Sequence, residues 1–274
     1  MTTTTLITPN PITDGQKDQI ISFAEIAAKK AIGTLNLDNP RAQRVIARGD
    51  ELKAAIIAKI NQLSAVLPEP NCFGIADWQT FHRVIITAKQ TTAISEFPWS
   101  DATLNSPCPF HPRKKVHETH FAFMGLDHIT IAELQKLYPH SGQPRFYPYL
   151  PDAWYSGQEF ATKTTLALRW YLLLKEIVPG SEKKTFEEQK AMLPKEYEVP
   201  SAAAETAKDL FVFQKTSSHV NPKRYARTAD LVSGGRRVYV GSCDAEGVDV
   251  SYDWGDGRYD VVGLSASRKF EKKP

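Results

Sequence analysis

The sequence predicts an α+β fold in which helices and strands are segregated along the chain. Three observations carry this expectation. Residues 14–66 place apolar side chains at helical spacing. Pro200-Ser201 followed by an alanine-rich run predicts a capped helix over 202–213. Beyond it, short strand-like runs alternate with Gly- and Asp-containing turns up to residue 270.

Taken in order, residues 1–13 form a polar, Thr-rich lead expected to be flexible. In 15–30, Ile20, Ile21, Phe23, Ala24, Ala27 and Ala28 mark one helix face, with Thr13 or Asp14 as its cap. Asn39-Pro40 reads as a break. A second amphipathic helix is expected over 41–66, with Val45, Ile46, Leu52, Ile56, Ile57, Ile60 and Leu63 on one side. Residues 14–66 therefore read as an antiparallel helical pair, a packing or oligomerisation arm, and a homo-oligomer is a natural expectation. Residues 67–115 read as an irregular connector, rich in proline, with one helix over 78–88. Further on, a strand is expected over 117–124 and a helix over 130–137 with Thr130 as cap and Glu133 at the capping-box position. The apolar run 164–177 fits either a buried strand or a helix. Short strands follow at 237–240, 247–251 and 264–270, the second entered from a turn at 244–247.

Bulk properties bound the function. The 274 residues suffice for one large domain or two modest ones. With 42% hydrophobic and 24% charged residues the composition is ordinary for a globular chain. A net charge of +3, with its densest basic cluster only Arg113-Lys114-Lys115, argues against nucleic acid as a partner. No apolar run approaches the roughly 20 residues of a membrane helix, so no membrane insertion is expected. The N-terminus lacks the basic and apolar regions of a secretory signal, and three scattered cysteines imply no disulfide framework. A cytoplasmic location is the default, with a surface or particle-associated one as the alternative.

Residues 198–270 carry an ordered series of signals. Glu198-Val199-Pro200-Ser201 leads into a helix. Tyr225-Ala226-Arg227-Thr228-Ala229-Asp230 and 235–241 follow as strand segments. Arg258, then Gly263-Leu264-Ser265-Ala266-Ser267-Arg268-Lys269-Phe270, closes the series. This order resembles the formylglycine-generating-enzyme branch of the C-type lectin fold, with one departure: the family's Glu after its "LPT" element would fall at Ala204, whereas the glutamate here is Glu205. Upstream, 119–125, Trp154-Tyr155, 169–171 and 177–181 resemble bacterial proteins whose ending is often the variable region of a diversity-generating retroelement. The resemblance implies a C-type-lectin-like module over 116–274, preceded by the helical N-terminal region. It also implies a diversified, non-enzymatic binding face for a protein or other macromolecular ligand.

The residues give a separate reading of that idea. Adenine-directed change in an Asn codon cannot produce Lys, Glu, Gln, Met or Trp, and 248–262 contains no Lys, Glu, Gln or Met. The expected variable, ligand-binding residues are Asp249, Ser251, Tyr252, Asp253, Gly255, Gly257, Tyr259, Asp260 and Val261. Trp254, Arg258, Gly263 and Arg268 are expected scaffold, with Trp254 as a core or framework residue in preference to an aromatic anchor and Arg258 clipped to Asp253, Asp256 or Asp260. The bland alternative is a polar, Gly-rich hairpin. Tyr among Ser, Gly and Asp is also the composition of adaptable paratopes, since Tyr offers contact area at low entropy cost.

Other chemistries are weighed against this. Calcium needs about six or more converging oxygens, and the aspartates near 249–260 lack a recognised loop spacing. Cys108, His111, His117 and His120 have zinc-ligand chemistry but not the spacing of a common zinc site, and His120 reads as a partly buried strand residue. No metal and no cofactor is expected. An oxidase of the formylglycine-generating kind depends on two cysteines near the end of the fold, where only Cys243 stands. That enzyme, and a fixed-sequence structural or assembly protein, are the alternatives.

Overall fold

A computed structural model describes residues 13–35, 37–64, 71–87, 90, 97–149 and 152–270. The chain divides into two compact units, 1–57 and 58–274. Its described elements are mixed α and β. The helices are α1 (Asp14–Thr34), α2 (Asn39–Ala47), α3 (Gly49–Ser64), α4 (Ile75–His82), α5 (Asp101–Leu104), α6 (Val116–Thr119), α7 (Ile131–Leu137), α8 (Glu159–Thr162), α9 (Phe186–Ala191) and α10 (Ala202–Thr216). The strands are β1 (Cys72–Phe73), β2 (His120–Met124), β3 (Trp170–Leu174), β4 (Tyr197–Glu198), β5 (Tyr225–Leu231), β6 (Arg237–Asp244), β7 (Gly247–Asp253), β8 (Val262–Leu264) and β9 (Ser267–Arg268). Among the described residues no helix is long and apolar enough to cross a membrane.

In the N-terminal unit Thr13 caps α1 in a reciprocal box: its hydroxyl accepts from Gln16 N at 3.2 Å, and Gln16 Oε1 accepts from Thr13 N at 2.9 Å. Asn39-Pro40 does not break the chain but starts α2, with Asp38 as cap, because proline at the first helical turn loses no hydrogen bond. The expected second helix divides at Arg48, whose backbone leaves helical geometry; the end expected for it at Val66 lies outside the described residues. The apolar side chains anticipated as a packing stripe, Ile20, Ile21 and Phe23 among them, are exposed, and no residue of α1 is buried.

The larger unit holds two sheets. One has the order β1-β2-β3-β9-β4, antiparallel except for the parallel β1–β2 pair. The other is an antiparallel β7-β6-β5 meander with β8 added parallel to β5. The region expected as a connector, 67–115, contributes β1 and the buried Trp78, Trp99, Leu104 and Cys108 to this unit. Helix α4 is shorter than expected and begins earlier: Arg83 turns to a left-handed φ of 54°, Val84 N bonds back to Trp78 O at 3.3 Å, and Ala88 lies outside the described residues. The first part of the expected strand 117–124 is the single turn α6, and β2 begins at His120. Only Trp170–Leu174 of the run 164–177 is strand. Both β2 and β3 are covered on two faces, Phe121 and Phe123 by the main core and Ala122 and Leu172 by a smaller one around Trp99. That double cover makes the sequence continuously apolar and hides the strand period. The expected final strand 264–270 is two short pieces, β8 and β9, in different sheets.

Helix α10 packs against β5, β6 and β7 of one sheet and β1, β2 and β3 of the other. Ser201 caps it (Ala204 N to Ser201 Oγ, 3.2 Å), and every residue from Ala202 to Val212 is buried. Phe211 stacks on Phe73 at 4.0 Å and meets Trp78 edge-on at 5.1 Å. Three charges lie inside this core. Lys208 Nζ is 2.6 Å from Glu205, 3.0 Å from Asp209 and 2.7 Å from the carbonyl of Lys175. Burial, reinforced by the charge of Glu205 against the opposing pull of Lys208, pushes the Asp209 carboxyl up to about 7.

Two outcomes are expected. Lys208→Met leaves two buried carboxyls without their cation and should cost about 3–5 kcal/mol in denaturant unfolding. The folded protein holds the Asp209 proton more tightly than the unfolded chain does. Its contribution to stability is therefore full below about pH 4 and lost as pH rises through 7. Asp209→Asn should accordingly raise Tm over the wild type more at pH 8 than at pH 5; parallel Tm–pH curves for the two proteins would refute this account.

Candidate ligand-binding face

Strands β6 and β7 alternate. Val238, Val240, Val248 and Val250 enter the core, and Tyr239, Asp249 and Ser251 lie on the opposite face. The register places Tyr225, Gly241 and Asp249 in one row and Arg227, Tyr239 and Ser251 in the next. Between β6 and β7 the chain reverses at 244–247, where Glu246 N bonds Asp244 Oδ1 at 2.8 Å. Gly247 is required there: its φ is +126°, and a Cβ would stand 2.4 Å from the backbone carbon of Phe146. That close approach runs 145–149 alongside β7, with Tyr147 N to Val248 O at 3.0 Å and Val248 N to Arg145 O at 2.8 Å.

The neighbouring segment brings two more tyrosines to the face. Asp249 accepts from Tyr225 Oη at 2.6 Å and is also bonded by the hydroxyl of Tyr149. Tyr147 and Tyr149 are 5.2 Å apart edge-on, as are Tyr225 and Tyr239 at 5.0 Å. Burial and the Asp249 carboxylate raise the pKa of Tyr149 and Tyr225, so both phenols stay protonated donors. In the sequence Tyr225 and Tyr239 stand only as members of strand segments. The signal for Tyr239 was its place between Val238 and Val240 at period two.

The loop 254–261 is held through its main chain. The carbonyl of Gly255 accepts from Phe186 N at 2.7 Å, that of Gly257 from Arg227 Nη2 at 2.7 Å, that of Tyr259 from Lys183 N at 2.9 Å, and that of Val261 from Tyr225 N at 2.8 Å. Arg227 is fully buried and also donates Nη1 to Lys184 O at 2.9 Å and to Gln189 Oε1 at 3.2 Å. One guanidinium thus joins β5, the start of α9 and the loop.

The residues singled out in the sequence fall as follows. Asp249, Ser251, Tyr252 and Asp253 are half-buried on β7. Tyr252 packs on Trp154 at 4.4 Å and lies under Arg236 at 4.2 Å. Asp253 accepts from Trp254 N at 2.7 Å and from the Tyr259 phenol, which this bond holds up at about 12. Asp260 and Val261 are exposed, the former 3.4 Å from Lys183. Gly255 and Gly257 are half-buried, and a Cβ on Gly257 would fall 2.4 Å from the Tyr259 ring. Gly263 is buried with Ile177 and Ser181 closer than 3 Å to where its Cβ would be. Arg268 donates to Tyr197 Oη at 3.3 Å. Two expectations are corrected. Trp254 is no core plug: it is 58% exposed, because the chain leaves the sheet at Asp253 and turns outward. Arg258 pairs with Glu188 on α9 at 2.7 Å and not with a neighbouring aspartate, since the anchored loop carries it toward the start of that helix.

His120 is wholly buried, more than its expected partly buried place: Nδ1 lies 2.9 Å from Thr119 Oγ1 and Nε2 3.1 Å from Tyr197 Oη, and burial lowers its pKa to about 3. Among the described residues no three His, Cys, Asp or Glu side chains converge as metal ligands. Cys243 is buried beside His219 Nδ1 (3.5 Å), and burial pushes its thiol pKa up. Comparison with protein-family models, with curated proteins and with solved structures gives no match in any of the three.

The geometry predicts which side chains hold the loop. Arg227→Met removes donors to three segments at once and should cost at least about 2 kcal/mol in chemical denaturation. Gly263→Ala overfills a tight site and should cost about 1–3 kcal/mol. Asp260→Ala and Val261→Ala should each stay within about 0.5 kcal/mol of wild type.

Proposed function

We propose that this chain is a non-enzymatic recognition protein. In this reading a C-type-lectin-like module presents β7 and the loop 254–261 to a macromolecular ligand, and a retroelement diversifies those positions. One observation carries the reading: the loop is anchored by four of its main-chain carbonyls, each met by a donor outside it and one of these the buried Arg227, with Arg258, an expected scaffold residue, adding a clip to Glu188. Such a loop keeps its shape while Asp260, Val261 and their neighbours change. The limited residue alphabet of 248–262 and the ordered motifs of 198–270 support it from the sequence. The path of the chain supports it too: a helix leads into a three-stranded meander, and the last strand returns to the sheet of the upstream strands.

Within this proposal the face has two parts. Tyr149, Tyr225 and Tyr239 are tied into the framework and offer a constant aromatic surface. Of the expected variable residues, Ser251, Tyr252, Asp253, Gly255, Gly257, Tyr259, Asp260 and Val261 supply what differs between sibling proteins, while Asp249 joins the tyrosine framework. Trp254 cannot arise from an Asn codon yet stands exposed, which suits a constant anchor, since tryptophan dominates binding hot spots. The oxidase alternative loses support at Cys243, whose raised pKa leaves no thiolate to start such chemistry at neutral pH.

The deciding experiment is to sequence the DNA flanking the gene's 3′ end. A near-copy of the segment encoding 247–270, differing only at adenines in codons for residues such as Ser251, Tyr252, Asp253, Gly257, Tyr259 and Val261, beside a reverse-transcriptase gene, is the expected result. No copy, with identical residues in all sibling clones, would remove the diversified reading and leave a fixed binding face.

A further inference from the structure

A cavity of about 540 Å³ opens between α9, the segment 193–199, the β5–β6 pair and the end of β9. Its volume lies in the range of small-molecule sites, about 300–1,000 Å³. Leu193, Pro194 and Val199 give it an apolar wall. Four cations line it, Lys190, Lys195, Arg237 and Lys269, against two carboxylates, Glu187 and Glu198.

The lining holds four cations against two carboxylates, and Glu187 and Asp230 act on Arg237 only from beyond ion-pair distance. Glu198 already faces Arg169, 3.5 Å away and outside the cavity lining. Among the described residues no carboxylate stands at ion-pair distance from any of the four cations. Arg237 is held firmly. It stacks over the Phe186 ring at 3.9 Å and gives Nη1 to the carbonyl of Ala229, while its buried Nε has no hydrogen-bond partner. A half-buried guanidinium with an unused donor, beside the ammonium groups of Lys190 and Lys195 and that of Lys269, which is bonded to the Lys195 carbonyl at 2.8 Å, leaves a surplus of positive charge.

We infer that this cavity binds a small organic anion, its carboxylate or phosphate among Arg237, Lys190, Lys195 and Lys269 and its apolar body against Leu193, Pro194 and Val199. The site shares no residue with the proposed recognition face and does not rest on that proposal.

The test is calorimetric titration of the full chain with phenyl phosphate, inorganic phosphate and benzyl alcohol. Phenyl phosphate should bind saturably at one site, inorganic phosphate more weakly, and benzyl alcohol not at all. The exposed pair Lys190→Gln and Lys195→Gln, combined in one variant that keeps the circular dichroism spectrum, should weaken phenyl phosphate by at least about tenfold. Lys163→Gln should leave it unchanged. Absence of saturable binding by both phosphates, or equal binding by the double variant, would overturn the inference.

Discussion

The two sheets depend on an ammonium group that has no access to water. Lys208 reaches from α10 to the Lys175 carbonyl just past β3, and to Glu205, which in turn is bonded by Ser265 between β8 and β9. The chain crosses from one sheet to the other at that serine. Burying a charge costs more than an apolar residue of the same size would, and attraction to two carboxyls and a carbonyl offsets the cost only when all are in place. The arrangement therefore contributes position: it fixes where α10 sits between the sheets and where the last strands cross. Phe211, Phe73 and Trp78 then fill the space so defined.

Arg227 repeats this logic nearer the surface. Its strand neighbours, Ala226 and Thr228, are buried as well, so the guanidinium can reach solvent only by displacing the loop above it. It is satisfied instead by carbonyls of Lys184 and Gly257 and by Gln189. A side chain that bonds backbone is insensitive to which residues its partners are. Gln189 extends the same device, donating to the carbonyls of Ser181 and Val262. The segment before β8 is thus bound to α9 and β5 by groups that belong to the framework.

Local signals in the sequence carried the elements whose reasons are local. Thr13, Thr130 and Ser201 cap helices because a hydroxyl one residue ahead of a helical run has a fixed geometry to the amides it faces. The β6–β7 hairpin was legible because its second face is polar and only half-buried, which keeps the valine alternation visible. Where tertiary contacts decide, the sequence was silent. Residues 72–73 become a strand only because β2 lies beside them, and 164–177 shows no period because both faces are covered. Pro40 was misread as a break, since its role turns on Asp38 before it. At the face, the loop residues were legible by composition. Tyr147 and Tyr149 were not, because a glycine a hundred positions away, Gly247, makes room for their backbone.

The exposure of Trp254 bears directly on the proposed function. A large fixed residue in a core would have made the loop a packed element whose side chains matter to folding. Exposed, it leaves the loop with almost no apolar burial of its own, so its order must come from somewhere else. The alternating carbonyls of 255, 257, 259 and 261 are that source, and each is met by a donor outside the loop. A main-chain anchor at every second residue leaves the exposed Asp260 and Val261 little structural duty, while Arg258 stays tied to Glu188 and the Tyr259 phenol to Asp253. That freedom is what diversification requires, and a fixed assembly contact has no need of it.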